Sequence, residues 1–123
     1  MGRMSTTTQQ TADIARSYFQ GWTTGDRAAV ESALAEDFTF ESAMITFTGR
    51  EQMLNAMQWP QGAKTVLVAE AYEGDHGFQM YDATNAGNTV RIAEHMVVRG
   101  GKLISSNVVC DGAAFMAFMG MGG

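Results

Sequence analysis

Helical spacing of apolar residues governs the first quarter of the chain. The apolar positions of this first face are Ala15, Tyr18, Phe19 and Trp22. They recur three and four residues apart while polar residues occupy the opposite face, which predicts an amphipathic helix. Thr6 or Thr7, each followed three residues later by a glutamine, is the expected N-cap. We expect Gly25 to end this helix and Asp26 to cap a second one.

The pattern changes to alternation after Asp37. Phe38 and Phe40 alternate with polar residues and predict a short strand over residues 38–41. Residues 48–51 read Thr-Gly-Arg-Glu, which matches a capping box and predicts a third helix that Pro60 ends.

Four β segments follow, joined by short turns that contain glycine. They span residues 64–73, 77–84, 88–99 and 102–111. Glycine permits the positive φ angles that tight antiparallel hairpins use, so the four segments predict a meander. Three helices before a meander predict an α+β fold, with the N-terminal helices packed on a strongly curved, mostly antiparallel sheet. Residues 112–119 predict a short helix capped by Asp111.

The length and composition limit the domain count and the partners. A chain of 123 residues suits one domain, which we expect over residues 8–119, with a disordered N-terminus at 1–7 and a flexible tail at 120–123. Thirteen acidic against eight basic residues argue against nucleic acid or an anionic membrane as a partner. No apolar run approaches the ~20 residues of a membrane span. The single Cys110 excludes an internal disulfide framework and indicates a reducing, cytoplasmic location.

Pairing in the last hairpin isolates one carboxylate on an apolar face. If residues 100–101 form a two-residue turn, the even-numbered residues 90–98 share a face, and all except Glu94 are apolar. Loss of hydration among apolar neighbours raises the pKa of such a carboxyl. Its expected cross-strand partner is Asn107, and a three-residue turn would put Ser106 there instead. In either register an isolated acid lies on the apolar face.

The opposite face of the same strand mixes charged and apolar residues. Arg91, His95 and Arg99 alternate there with Ala93 and Val97. This face is too apolar for full solvation and too polar for a core. We therefore expect a second copy of the chain to cover part of it, giving a homodimer.

The order of these elements resembles that of the nuclear transport factor 2-like superfamily, in particular its SnoaL-like and ketosteroid-isomerase-like groups. The resemblance is carried by YFQGWTTGD at residues 18–26, AEDFTFE at 35–41, GRE at 49–51 and VRGGKLI at 98–104. It covers nearly the whole chain. It implies a cystatin-like α+β cone whose cavity lies between the helices and the concave side of the sheet.

The resemblance also implies roles for individual residues. Ketosteroid isomerases use a tyrosine and a protonated acid to stabilise an oxyanion, and a separate aspartate as the base. By spacing, the tyrosine corresponds to Tyr18 and the acid to Glu94. The base corresponds to Ser42, which cannot abstract a proton from carbon unaided. SnoaL-like cyclases and related epoxide hydrolases place an acid on the final strands, where Asp111 is the candidate.

The expected function is small-molecule chemistry in the cavity. The predicted catalytic residues are Glu94, Tyr18 and Asp111, and the predicted ligand-binding residues are Trp22, Phe38, Phe40, Ser42, Met53, Met96 and Asn107. We expect an isomerase, cyclase or hydrolase acting on an apolar oxygenated compound, with Glu94 as acid and Tyr18 as second hydrogen-bond donor. The alternative is a non-catalytic ligand-binding or dimerisation domain. His76 and His95 lack further ligands at metal spacing, so no metal or organic cofactor is expected.

Overall fold

The computed structural model describes residues 6–121, which form four helices and one six-stranded sheet. The helices are α1 (Thr8–Thr24), α2 (Arg27–Ala33), α3 (Arg50–Asn55) and α4 (Gly112–Phe118). The strands are β1 (Leu34–Glu41), β2 (Thr46–Thr48), β3 (Lys64–Glu73), β4 (His76–Asn85), β5 (Asn88–Arg99) and β6 (Lys102–Cys110). The α+β class is as predicted. Residues 1–5 of the predicted disordered N-terminus and 122–123 of the predicted tail lie outside the described residues.

Local sequence signals set the ends of α1 and α2. The Thr7 side chain accepts the Gln10 N–H at 3.0 Å, and the Gln10 side chain accepts the Thr7 N–H at 2.8 Å. This reciprocal pair satisfies two of the N–H groups that a helix start leaves free. Gly25 ends α1 in the left-handed conformation, and Asp26 then caps α2.

The start of α3 differs from the prediction. Residues 48–51 do not form a capping box, because Gly49 is the N-cap and no side chain caps it. The Gln52 side chain instead accepts the Thr48 N–H at 2.9 Å. One glutamine in the first turn thus fixes the entry to the helix, where the sequence pattern assigned that role to a threonine and a glutamate.

The antiparallel meander β3-β4-β5-β6 continues into β1 and β2, in the order β2-β1-β6-β5-β4-β3. The predicted bounds of β3 and β5 are correct, and β4 is one residue longer at each end. Strand β1 is longer than predicted, since it starts at Leu34, and it pairs in parallel with β6. The short β2 was not predicted. Three residues give too brief an alternation to identify a strand.

Two apolar clusters fill the space between the helices and the inner face of the sheet. The first joins α1, α2, α3 and the sheet through residues such as Val30, Phe38 and Met96. The second packs α4 on β4 and β5 and includes the fully buried Phe118. Gly21 lets α1 and α2 approach, because a Cβ there would lie 3.1 Å from the Ala29 side chain. Across residues 6–121, we find no helix with the length and apolar character needed to cross a membrane.

Candidate functional site

A cavity of about 290 Å³ lies between the two apolar clusters. Its wall is built mainly from aromatic and methionine side chains of α1, β1, α4 and the loop after α3. The aromatic and methionine residues of this wall include Phe19, Trp22, Phe40, Phe47, Met53, Trp59, Phe115, Met116 and Met119. Among the described residues, no lysine, arginine or histidine lines it. The volume is at the lower end of small-molecule sites, and the lining favours an apolar, uncharged occupant.

Of the residues that the structure describes, Glu94 on β5 is the one acidic side chain in this wall. It is 5% exposed, and its carboxylate accepts hydrogen bonds from the Tyr81 hydroxyl, at 3.0 Å, and from the Ser106 hydroxyl. Burial raises the pKa of Glu94, although both hydrogen bonds act in the opposite direction. The cavity therefore contains a carboxyl group that holds its proton more tightly than a solvated glutamate does.

Tyr18 on α1 supplies a second polar group to the cavity. Its side chain packs at the centre of the fold and is 4% exposed, yet within residues 6–121 its hydroxyl makes no hydrogen bond. Burial is the main reason that the pKa of Tyr18 lies well above its usual value, and a charge on the nearby Glu94 acts in the same direction. The hydroxyl thus stays protonated and is available to donate to an oxygen of a bound molecule.

The predicted partner of Glu94 is wrong. The turn at residues 100–101 has two residues, as expected. An irregularity between Val97 and Val98 then shifts the pairing of β5 with β6 by one residue over the rest of the hairpin. Glu94 therefore lies opposite Val108, and Asn107 is exposed on the other face opposite His95. Ser106 becomes the diagonal neighbour that bonds to the carboxylate. The bulge leaves Glu94 on the inner face of the sheet but changes its side-chain partner from the predicted Asn107 to Ser106.

The structure brings together most, but not all, of the predicted ligand-binding residues. Trp22, Phe40, Ser42 and Met53 line the cavity with Glu94 and Tyr18. Phe38 and Met96 do not line it, because both are fully buried in the first apolar cluster. Asn107 is excluded by the register shift.

Asp111 lies outside the cavity and has a structural contact. Its side chain is exposed and accepts the Ala114 N–H at 2.9 Å, which caps α4 as the sequence predicted. A carboxylate used as an N-cap satisfies a free N–H at a helix start. The geometry therefore places the predicted third acid away from Glu94 and Tyr18.

Ser42, at the position where the resemblance implied a base, is held by a tight turn. Its hydroxyl donates to the Ile45 carbonyl at 3.1 Å and accepts the N–H groups of Met44 and Ile45. These bonds use both the donor and the acceptor capacity of a serine hydroxyl. Ser42 therefore shapes the loop between β1 and β2 at the cavity.

Tyr81 is the main site residue that the sequence analysis missed. It lies on β4 opposite Ile92, and Gln79 lies opposite Glu94. Residues 85–88 form a hairpin in which Asn85 pairs with Asn88. The same counting that was applied to the last hairpin would have placed both side chains beside Glu94.

The remaining chemistry-bearing residues in the described part of the chain do not assemble into a metal centre. Across residues 6–121, no cluster of three histidine, cysteine, aspartate or glutamate side chains could hold a metal ion. Cys110 lines the cavity, but burial raises the pKa of its thiol, which keeps it in the less reactive form.

Comparison with known proteins agrees with this architecture. The chain is similar in structure to a protein from Kribbella flavida proposed to be a ketosteroid isomerase, with a TM-score of 0.79, 20% identity, and coverage of 86% of this chain and 81% of that one. An NTF2-like protein of unknown function from Mesorhizobium loti gives a TM-score of 0.76 and 24% identity, with 85% and 93% covered.

A third similar structure is an LEH-like epoxide hydrolase from M. tuberculosis, with a TM-score of 0.72, 13% identity, and 94% and 92% covered. At these identities the likeness concerns the fold. Comparison with curated protein sequences gives no match. The family model described as SnoaL-like domain matches residues 15–106, which include α1 from Ala15 onward, the meander up to Ser106, and both Tyr18 and Glu94. The chain therefore belongs to the SnoaL-like family, and its fold is that of NTF2-like proteins.

Proposed function

We propose that this chain is a small-molecule enzyme of isomerase, cyclase or hydrolase type that acts on an apolar oxygenated compound. The observation that carries the proposal is the pairing, in one aromatic-lined cavity, of the buried Glu94 carboxyl with the Tyr18 hydroxyl, which has no hydrogen-bond partner within residues 6–121. Two donors that converge on one oxygen are the usual way to stabilise negative charge that develops on it.

The roles follow from the protonation of the two groups. Tyr18 donates a hydrogen bond to a carbonyl or epoxide oxygen of the substrate. Glu94 in its acid form donates a proton, or a strong hydrogen bond, to the same oxygen as charge develops there. Tyr81 and Ser106 hold the Glu94 carboxyl in place from neighbouring strands. The reaction also needs a group that accepts or returns a proton at the reacting carbon or nucleophile. A water molecule fills this role, because Asp111 is used as a helix cap.

Turnover of two simple probes tests the proposal. The purified protein is incubated with a β,γ-unsaturated cyclic ketone, followed by the absorbance of the conjugated product, and with a terpene epoxide, followed by chromatographic detection of the diol. We expect turnover of one probe, with kcat/KM reduced at least ~100-fold in Glu94→Gln and about tenfold in Tyr18→Phe. The matched control is Glu31→Gln, the same change at an exposed glutamate of α2 outside the cavity. Glu94→Gln turnover equal to that of the control would contradict the acid role.

A non-catalytic binding protein is the second candidate, and Ser42 is the observation that favours it. The hydroxyl at the position of the base is occupied by its own turn. Tight binding of both probes without product would support this candidate. Ser42→Asp keeps an acceptor for the turn and adds a carboxylate. Isomerisation of the ketone by this variant alone would show that the base is the missing component.

We also propose that two copies of the chain associate through the outer face of the sheet. Val109 is 70% exposed and Phe78 50% exposed there, beside the half-buried His95, and exposed apolar surface of this kind is typical of an interface. Light scattering tests this directly. We expect a dimer for the parent chain and a monomer for Val109→Glu, and a monomeric parent would contradict the proposal.

A further inference from the structure

The Gln79 side chain on β4 contains an acceptor without a donor. Gln79 is 3% exposed, and its Oε1 atom is buried with no hydrogen-bond partner among residues 6–121. Its Nε2 donates to the Tyr72 hydroxyl at 2.9 Å. A buried carbonyl oxygen left without a donor costs about 1–3 kcal/mol, so such an atom is normally matched by a donor.

The orientation of this amide is fixed by a chain of hydrogen bonds that leads to the surface. Arg16 on α1 pairs with Glu70 at 2.9 Å, and the Tyr72 hydroxyl donates to the same Glu70 oxygen at 2.7 Å. A tyrosine hydroxyl has one hydrogen, and here Glu70 takes it. Tyr72 can therefore only accept from Gln79, so the amide must turn its N–H towards Tyr72 and its oxygen away.

Packing holds Tyr72 in this arrangement. Gly77 is its cross-strand partner on β4, and a Cβ at Gly77 would lie 3.1 Å from the Tyr72 ring. The Arg16 guanidinium lies 5.4 Å from the centre of the same ring. The ring is thus confined between a glycine and a cation. Movement of Tyr72 alone therefore cannot reverse the direction of the hydrogen bonds from Gln79 to Glu70.

The free end of the chain is next to the candidate acid. Gln79 is the direct partner of Glu94 across β4 and β5, and both side chains are on the buried face. Side chains of directly opposed residues on one face of a sheet have Cβ atoms about 5 Å apart. An acceptor at this position meets no donor from an ionised carboxylate, but it meets one from a carboxylic acid.

We propose that Gln79 is a positioning residue that accepts a hydrogen bond from the protonated Glu94 carboxyl until a substrate oxygen takes its place, and that the chain Arg16–Glu70–Tyr72–Gln79 fixes the amide in the orientation that favours the acid form. The catalytic meaning of this inference rests on the proposed function, whereas the location of the proton does not. The burial that raises the pKa of Glu94 acts in the same direction.

The other groups around Glu94 are neutral hydrogen-bonding groups. Tyr81 on β4 and Ser106 on β6 bond to its carboxyl, Tyr18 on α1 lies near it, and the Cys110 thiol lines the same cavity. Among the described residues that line the cavity there is no cation that would favour the carboxylate. A single substitution that turns the Gln79 amide should therefore change the pKa of Glu94.

Tyr72→Phe tests the proposal without touching Glu94. The variant removes the acceptor of the Gln79 N–H, so the amide is free to turn and donate that N–H to the carboxylate. We expect the pKa of Glu94 to fall by about one unit, a tenfold loss of proton affinity, because a donor now stabilises the charged form. The measurement is a ¹³C NMR titration of the carboxyl carbons without ligand, with Glu94 assigned from its absence in Glu94→Gln.

The matched control repeats Tyr72→Phe in a Gln79→Met background. There we expect no change in the Glu94 pKa, since methionine has no N–H to turn. An unchanged pKa in the single variant, a rise, or an equal fall in both backgrounds would each overturn the proposal. If Tyr72→Phe does not fold, Glu70→Ala is the second variant: it removes the acceptor of the Tyr72 hydrogen, which is then free to bond Gln79, and a smaller fall is expected. Failure here leaves the turnover comparison with Glu94→Gln intact, so the two proposals fail separately.

Discussion

Glu94 on β5 and Glu70 on β3 are separated by strand β4. They have similar hydrogen-bond partners, but their pKa values are shifted in opposite directions. Each accepts a hydrogen bond from a tyrosine hydroxyl, Tyr81 at 3.0 Å for Glu94 and Tyr72 at 2.7 Å for Glu70. Burial nevertheless raises the pKa of Glu94, whereas the Arg16 hydrogen bond lowers that of Glu70. A cation and access to water, more than the tyrosine, decide the direction of the shift.

This difference explains why one carboxyl is a candidate for chemistry and the other is not. A carboxyl that keeps its proton in an apolar cavity is suited to donate it to a bound oxygen. Glu70 is ionised, paired and half in solvent, so it stabilises the surface between α1 and β3.

A cation beside Glu94 should abolish the difference, which is the largest effect we expect. Val108→Lys places an ammonium group directly opposite Glu94. A nearby opposite charge lowers a carboxyl pKa by about 1–3 units, so Glu94 should then resemble Glu70. Its ¹³C titration measures the shift, and turnover at neutral pH should be lost with it. Val108→Leu is the matched control, and an unshifted pKa in the lysine variant would contradict the account.

Removal of the Glu94 charge should stabilise the protein at neutral and high pH. Folding raises the Glu94 pKa, so the folded state binds more protons than the unfolded state between the two pKa values. Stability is therefore lost as the pH rises through that window. Glu94→Gln avoids this loss, and it gains about 1.4 kcal/mol for each unit by which folding raises the pKa.

Urea unfolding of the parent chain and Glu94→Gln across a range of pH measures this effect. The difference between them should be smallest at low pH and grow as the pH rises. A difference that is independent of pH would show that Glu94 titrates alike in the folded and unfolded states.

Removal of the hydrogen bond from Ser106 should move Glu94 further from Glu70. The Ser106 hydroxyl lowers the Glu94 pKa, so Ser106→Ala should raise it. We expect a change of up to about one unit, the usual size of one hydrogen bond's net contribution of about 1 kcal/mol. The same carboxyl titration reports it, and a fall would be inconsistent with the assigned donor.

The smallest effect is expected at Glu70. Its lowered pKa contributes stability that is present above its unfolded-state pKa and lost as the pH falls through its folded-state pKa. Because the pair with Arg16 is exposed and screened, Glu70→Gln should cost less than ~1 kcal/mol at neutral pH. A large loss in urea unfolding would mean that this pair supports the fold more than an exposed pair does.

The sequence predicted the framework of the fold because its signals are local. Helix caps at Thr7, Asp26 and Asp111 and glycine-bearing turns can be identified within a few residues, and the structure has them. The inward position of Glu94 also followed, since alternation along one strand depends on that strand alone.

The partners of Glu94 depend on longer-range geometry. One irregularity between Val97 and Val98 replaced Asn107 with Ser106, and no feature of the sequence marks that bulge. The parallel pairing of β1 with β6 joins segments some 65 residues apart and leaves no periodic signal. Tyr81 was within reach of turn counting, whereas the orphan oxygen of Gln79 emerges only once the bonds of Tyr72 are known.

A ¹³C titration that follows Glu94 and Glu70 in the same sample compares the two carboxyl groups directly. We expect Glu94 to titrate above 4.5, the usual value for a glutamate, and Glu70 below it. A Glu94 midpoint at or below that of Glu70 would mean that the cavity holds an ordinary carboxylate, and acid catalysis by Glu94 would be contradicted.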